Sequence, residues 1–174
     1  MRAMVLRKTS DLRQESEPLE MCDLPEPEPA AGEILIRVSA CGVCHTELDE
    51  IEGRTAPPVL PVIPGHQVVG TVHALGSAAS LYGIGSRVGV GWIFSACGSC
   101  AYCRSGRENL CRDFQATGRD RNGGYAEYIV VPEAFAYPIP PLFSDAEAAP
   151  LLCAGIIGYR ALRLAKLSDG QLLG

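Results

Sequence analysis

The sequence predicts a mainly β fold: a closed or partly closed β-barrel with a few short helices and a metal-stabilised lobe. Three observations predict it. Short segments rich in Val and Ile recur through the first two thirds of the chain, each bounded by Gly or Pro. Four cysteines crowd into residues 97–111 in the pattern C-x2-C-x2-C-x7-C, a spacing at which thiolates converge on one tetrahedral ion. Beyond residue 143 the composition turns helix-favouring.

Ala3–Arg7 predicts a strand, with Leu19–Leu24 as its partner. Residues 25–29, Pro-Glu-Pro-Glu-Pro, form an extended connector, because proline lacks the helical N–H donor and restricts its predecessor. Glu33–Ala40 and the valine-rich Gln67–Leu75 are further strands, as are Ser86–Trp92, Tyr125–Val131 and Phe135–Ile139. Ser144 and Glu147 make a capping box that opens a helix, and Pro150 ends or kinks it. A second helix is predicted from Ala154 to Lys166, then a turn at Ser168-Asp169-Gly170. Gln171–Gly174 reads as the opening of a strand, which predicts a portion of a longer protein. The sequence contains no internal repeat and no low-complexity run.

Composition narrows the function classes. With 174 residues, 47% hydrophobic and 20% charged, the chain can bury a proper core. A net charge of −5, with no basic run longer than two residues, argues against nucleic acid as a partner. No apolar run approaches the ~20 residues of a membrane span. The start at Met1 lacks the long apolar stretch of a secretory signal. Eight cysteines without an export signal predict a cytoplasmic chain that uses thiols or metal. No G-x-G-x-x-G occurs: Gly83-Ile84-Gly85 and Gly89-Val90-Gly91 lack the rest of the pattern.

Cys97, Cys100, Cys103 and Cys111 would close the shell of a zinc ion and so stabilise a lobe. An iron–sulfur cluster is the other metal reading. A disulfide across so short a loop is strained. A second group of residues is dispersed: Cys41 and Cys44-His45-Thr46-Glu47 after a strand, His66 between Gly65 and Gln67, and Cys153. Pattern alone allows separate roles for these, namely a thiol pair, a turn histidine and a buried cysteine.

Five features in order add a resemblance. They are Cys-Gly-Val-Cys-His-Thr at 41–46, Pro-Gly-His at 64–66, the cysteines of 97–111, Gly-Gly-Tyr-Ala-Glu-Tyr at 123–128, and Cys-Ala-Gly at 153–155. In these the chain resembles the catalytic domain of zinc-dependent medium-chain alcohol dehydrogenases, in particular bacterial ones. The resemblance implies a GroES-like β-barrel catalytic domain over residues 1–150, with the structural zinc lobe at 95–113. It implies that 151–174 form a helix and the start of a truncated Rossmann domain that binds NAD. It assigns Cys44, His66 and Cys153 to a catalytic zinc and the four clustered cysteines to a structural zinc, two Zn2+ per chain. Cys41 and Cys22 are left as ordinary thiols.

Other roles come from the same resemblance. Thr46 bonds the substrate oxygen and passes its proton on; a capping threonine is the plain alternative. Glu47 orients His66, against a solvated helix acid. His45 approaches the cofactor pyrophosphate, against an exposed surface histidine. Trp92 lines the substrate pocket, against a core tryptophan. Two departures stand out: Gln67 replaces a common glutamate, and Asp49 occupies the position of a relay histidine. Asp49 or water then takes the proton. The resemblance implies oxidation of primary or simple alcohols to aldehydes with NAD or NADP in a full-length homo-oligomer, and no turnover by these residues alone. A polyol or threonine dehydrogenase is an alternative within the superfamily. A non-catalytic zinc-stabilised interaction module is an alternative outside it, and would carry one zinc instead of two.

Overall fold

The fold is a computed structural model, described for residues 1–172. Its centre is an antiparallel five-stranded sheet in the order β8-β3-β4-β5-β9. These strands are β3 Glu33–Cys41, β4 Val68–Leu75, β5 Arg87–Val90, β8 Tyr128–Pro132 and β9 Ala136–Pro138. Ile36 stands opposite Val72 on one side and Ile129 on the other, and Val68 opposite Val90. One face of the sheet thus gathers Ile34, Ile36, Val68, Val72, Val88, Val90, Ile129 and Val131 into the main core. Irregularities between Leu35 and Ile36, and between Val38 and Ala40, interrupt the β3–β4 register. Such bulges add local twist and help curl a sheet into a half-barrel.

A two-stranded sheet of β1 Arg2–Val5 and β2 Glu20–Asp23 is tied on by bridges from Ala3 to Ala126 and from Leu6 to Val62. The seven strands predicted within residues 1–139 appear, most of them trimmed at their ends. The sequence pattern gave no bounds for one helix and one hairpin. The helix α1, His45–Ile51, is too short and too acidic to display an apolar period. The hairpin of β6 Ile93–Ser95 and β7 Gln115–Ala116 has a two-residue second strand.

The capping box forms as expected. Glu147 accepts a 2.9 Å hydrogen bond from the Ser144 N–H, and its own N–H donates to Ser144 Oγ at 3.4 Å. Helix α2, Asp145–Pro150, then runs through a π-helical turn, Leu151–Gly155, into α3, Ile156–Ala165. Pro150 therefore marks a change of winding and not an end. The combined run Asp145–Ala165 is 21 residues, long and apolar enough by length and composition to cross a membrane. The sequence reading placed two helices here with Pro150 at the end or kink of the first, whereas the helical winding continues through Pro150. Its first turns lie on the sheet, where Ala148, Ala149 and Leu152 pack against Val69. In α3, Ile157, Tyr159 and Leu164 are exposed. Gln171 donates to the Ser168 carbonyl, which closes the expected turn. Gln171 and Leu172 form no strand, and the rest of that expected strand, Leu173 and Gly174, lies outside the described residues.

Candidate metal centres

Two clusters of donor atoms form among the described residues, each with its members within 4.8 Å of one another. The first hangs between β6 and β7 and consists of Cys97, Cys100, Cys103 and Cys111. Sulfur separations of 3.9 Å for Cys97–Cys103 and 3.5 Å for Cys100–Cys103 are far beyond a disulfide bond. Backbone N–H groups point at the sulfurs: Cys100 donates to Cys97 at 3.4 Å and Cys103 to Cys100 at 3.5 Å. Such donors from Ser99 and Cys100 bring the Cys97 thiol down to about 6. Burial pushes Cys103 up to about 12. Four sulfurs gathered at these separations fit a tetrahedral ion with a closed shell.

The second cluster joins three distant segments: Cys44, His66 and Cys153. Cys44 precedes the first turn of α1, His66 precedes β4, and Cys153 sits in the π-helical turn. The Cys44 and Cys153 sulfurs are 3.8 Å apart. His66 is 1% exposed, and neither of its ring nitrogens has a hydrogen-bond partner. Its Nδ1 lies 2.6 Å from Glu47 Oε1. Glu47 Oε2 accepts the Cys44 N–H at 2.8 Å. One buried carboxylate therefore spans two members of the cluster. Burial, then the neighbouring Cys44, pushes the Cys153 thiol up to about 11. A buried nitrogen left unpaired beside two thiols is costly. A divalent cation would remove that cost, and two thiolates would balance its charge. The donor set suits zinc, with three protein ligands instead of four.

Glycines place the histidine. Gly65 has φ +99°, and a Cβ there would stand 2.6 Å from the Tyr125 ring and 2.9 Å from Cys41 Sγ. The Gly-Gly-Tyr motif explains itself in the same place. Gly123, Gly124 and Tyr125 donate to the carbonyls of Ile63, Gly65 and Pro64 at 2.6, 2.8 and 3.0 Å. A Cβ on Gly123 would be 2.1 Å from the Gly65 oxygen.

The other predicted residues are distributed around this cluster. Thr46 Oγ1 accepts from Cys44 Sγ at 3.6 Å. Trp92 meets the His66 ring edge-on, with centroids 5.0 Å apart. His45 projects outward with its side chain 77% exposed, 3.7 Å from Asp49. Asp49 is engaged by Arg54 at 2.5 Å, a partner that no sequence pattern announces. Gln67 is buried, with its carbonyl accepting the Gly42 N–H at 2.9 Å. Cys41 is a half-buried thiol that burial pushes up to about 12, and Cys22 is half-buried beside Arg7.

Two groups went unnoticed. Glu50 is 1% exposed, and both its oxygens lack partners. Burial, then the charge of Glu47, raises it to about 8. Its i+3 spacing from Glu47 was the available signal, since such a pair shares one helix face. Arg119 lies 5.6 Å over the Trp92 ring and donates to Asp120 at 2.9 Å. Nothing in its sequence neighbourhood points to that role.

Known proteins are similar to this chain in sequence and in fold. Residues 30–141 match the family profile described as "Alcohol dehydrogenase GroES-like domain". The chain belongs to that family. Among relatives of this GroES-like chain, "Probable alcohol dehydrogenase AdhA" of Mycobacterium tuberculosis is 49% identical over 162 residues, covering 90% of this chain and 47% of the relative. An alcohol dehydrogenase of Geobacillus stearothermophilus is 41% identical over 165 residues, covering 94% of this chain and 49% of the relative. A solved "NAD-dependent alcohol dehydrogenase" superposes with TM-score 0.89 at 32% identity, covering 98% of this chain and 49% of that one. The chain thus spans about half the length of the curated relatives it matches.

Proposed function

We propose that this chain is the metal- and substrate-binding part of a zinc-dependent alcohol dehydrogenase, which oxidises primary or simple alcohols to aldehydes with NAD or NADP. One observation carries the reading: Cys44, His66 and Cys153 offer three donors at one point, while the lobe offers four. A three-ligand zinc site leaves a position for a reactant, and a four-thiolate site does not. Bound at the former, zinc supplies Lewis acidity toward an alcohol oxygen, and a nicotinamide supplies the hydride acceptor.

The chain's own residues do the rest. Glu47 takes the Nδ1–H of His66 and so leaves the Nε2 lone pair toward the two sulfurs. Thr46, beside Cys44, accepts a hydrogen bond from the alcohol hydroxyl and hands its proton outward. Trp92 forms an apolar wall next to His66, which favours small alcohols over polyols. His45, on the solvent side of α1, faces the cofactor pyrophosphate. Asp49 ends the relay weakly, because Arg54 already occupies its carboxylate. Residues 1–150 act as the catalytic domain, stabilised by zinc in the lobe at 95–113, and 151–174 lead into the dinucleotide-binding part. Two features support this division: the relatives are about twice as long, and these 174 residues contain no G-x-G-x-x-G. Eight free cysteines suit a reducing cytoplasm.

The test is alcohol-dependent reduction of NAD+ by the full-length protein, with Cys44→Ser and Thr46→Val. Loss of turnover in both, with zinc at the lobe retained, is expected. Full activity in Cys44→Ser would overturn the reading.

A further inference from the structure

The three-donor cluster draws two members from neighbouring parts of the barrel, but Cys153 arrives from a helix laid across its outside. What holds that helix down is a compact polar staple. Asp145, the first residue of α2, accepts from Ser39 Oγ of β3 at 2.5 Å and from Arg87 Nε of β5 at 2.7 Å. Ser39 Oγ also lies 3.0 Å from the Val69 carbonyl of β4. The same Arg87 guanidinium donates to the carbonyls of Pro140 and Phe143, at 2.9 and 2.7 Å. One arginine thus fixes both the loop that enters α2 and the first turn of the helix, and the staple reaches three adjacent strands.

The sheet is shaped to receive the π-helical turn. Leu152 is 9% exposed and packs with Ala148, Ala149 and Val69. A Cβ on Gly89 would stand 2.9 Å from a Leu152 methyl, and one on Gly91 would stand 3.0 Å from the Leu152 carbonyl oxygen. Bare backbone on β5 and just beyond it therefore lets the turn sit close. The next residue is Cys153. π-Helical turns concentrate at functional sites because the extra residue re-aims a side chain, and here the turn comes directly after Pro150, which has no N–H for a regular ladder.

We propose that Asp145, Arg87 and Ser39 are positioning residues for the metal site: they fix the helix so that Cys153 reaches Cys44 and His66. This rests on the three-donor reading above. The staple touches none of the three ligands. Its effect is on the geometry and affinity of one metal site, and the lobe at 97–111 serves as an internal control because it shares no residue with the staple.

The experiment loads the metal-free chain with Co2+. Thiolate-to-cobalt absorption is measured for the wild type, Asp145→Asn, Ser39→Ala, Ser144→Ala, and Cys153→Ser as the lobe-only reference. Asp145→Asn is expected to weaken the three-donor site at least tenfold and to alter its cobalt spectrum, with the lobe unchanged. Ser39→Ala, a milder cut, is expected to shift the same site in the same direction, and it carries the test if Asp145→Asn fails to fold. Ser144→Ala weakens the same helix through its cap but leaves the staple whole, so it is expected to keep wild-type cobalt affinity. Two cobalt equivalents in the wild type with Asp145→Asn unchanged would overturn the staple alone. An equal loss in Ser144→Ala would also overturn it, since general helix weakening would then suffice. A single equivalent in the wild type would overturn the three-donor site itself and the staple with it.

Discussion

The Glu47 carboxylate lies 2.6 Å from His66 Nδ1, with the two side chains only 2% and 1% exposed. Beyond this close contact, Glu47 Oε1 and His66 Nδ1 have no polar partner, so each depends on the other. Removing the acid frees the imidazole to rotate or to change tautomer. Glu47→Gln is expected to weaken zinc at Cys44, His66 and Cys153 by about 10–100-fold, with the four-cysteine lobe unaffected. Competition with a chelator measures both sites in one titration. Equal zinc affinity in the variant would remove Glu47 from the site.

Glu50 predicts a pH effect of defined sign. Burial holds it at about 8 when folded, against about 4.3 in an unfolded chain. Between those values the unfolded state releases a proton that the folded state retains, so stability falls as pH rises through that window. Glu50→Gln is expected to gain stability relative to wild type progressively from pH 5 to pH 8. Urea unfolding of both proteins across that range gives the difference, and a constant difference would contradict the assignment.

Gly65 turns the chain into His66 with φ +99° and no room for a methyl. Gly65→Ala is expected to cost about 1–3 kcal/mol from backbone strain, with more from overlap on Tyr125. Ile36→Ala, at 0% exposure in the main core, is expected to cost about 2–5 kcal/mol. Only Gly65→Ala should also lower zinc affinity at the three-donor site. Denaturant midpoints and metal titrations separate the two effects.

Trp92 is the single tryptophan in the chain and lies 5.0 Å from the His66 ring. Its fluorescence therefore monitors that site. Co2+ is expected to quench it strongly in the wild type and only weakly in Cys153→Ser, where the lobe alone takes metal. Equal quenching in the two proteins would mean that cobalt beside Trp92 does not need Cys153.

The strands were legible because their burial demands a pattern. Val68, Val72, Val88 and Val90 are buried as the valine-rich, glycine-bounded segments implied. The lobe was legible because Cys97, Cys100, Cys103 and Cys111 are local in sequence. The second cluster was legible only through resemblance, since Cys153 lies far along the chain from His66 and no local period links them. The staple was not legible at all. Asp145 reads as an ordinary helix-start acid, Arg87 as a strand-end cation and Ser39 as a strand residue, and only packing of α2 on the sheet brings them together. Glu50 likewise reads as one more acid of a charged helix until its carboxylate is found buried.

Zinc stoichiometry of the purified chain decides most directly whether Cys44, His66 and Cys153 share one ion. Two equivalents are expected in the wild type, falling to one in Cys153→Ser while Cys97→Ser keeps the other. One equivalent in the wild type, or two retained in Cys153→Ser, would contradict a shared three-ligand site.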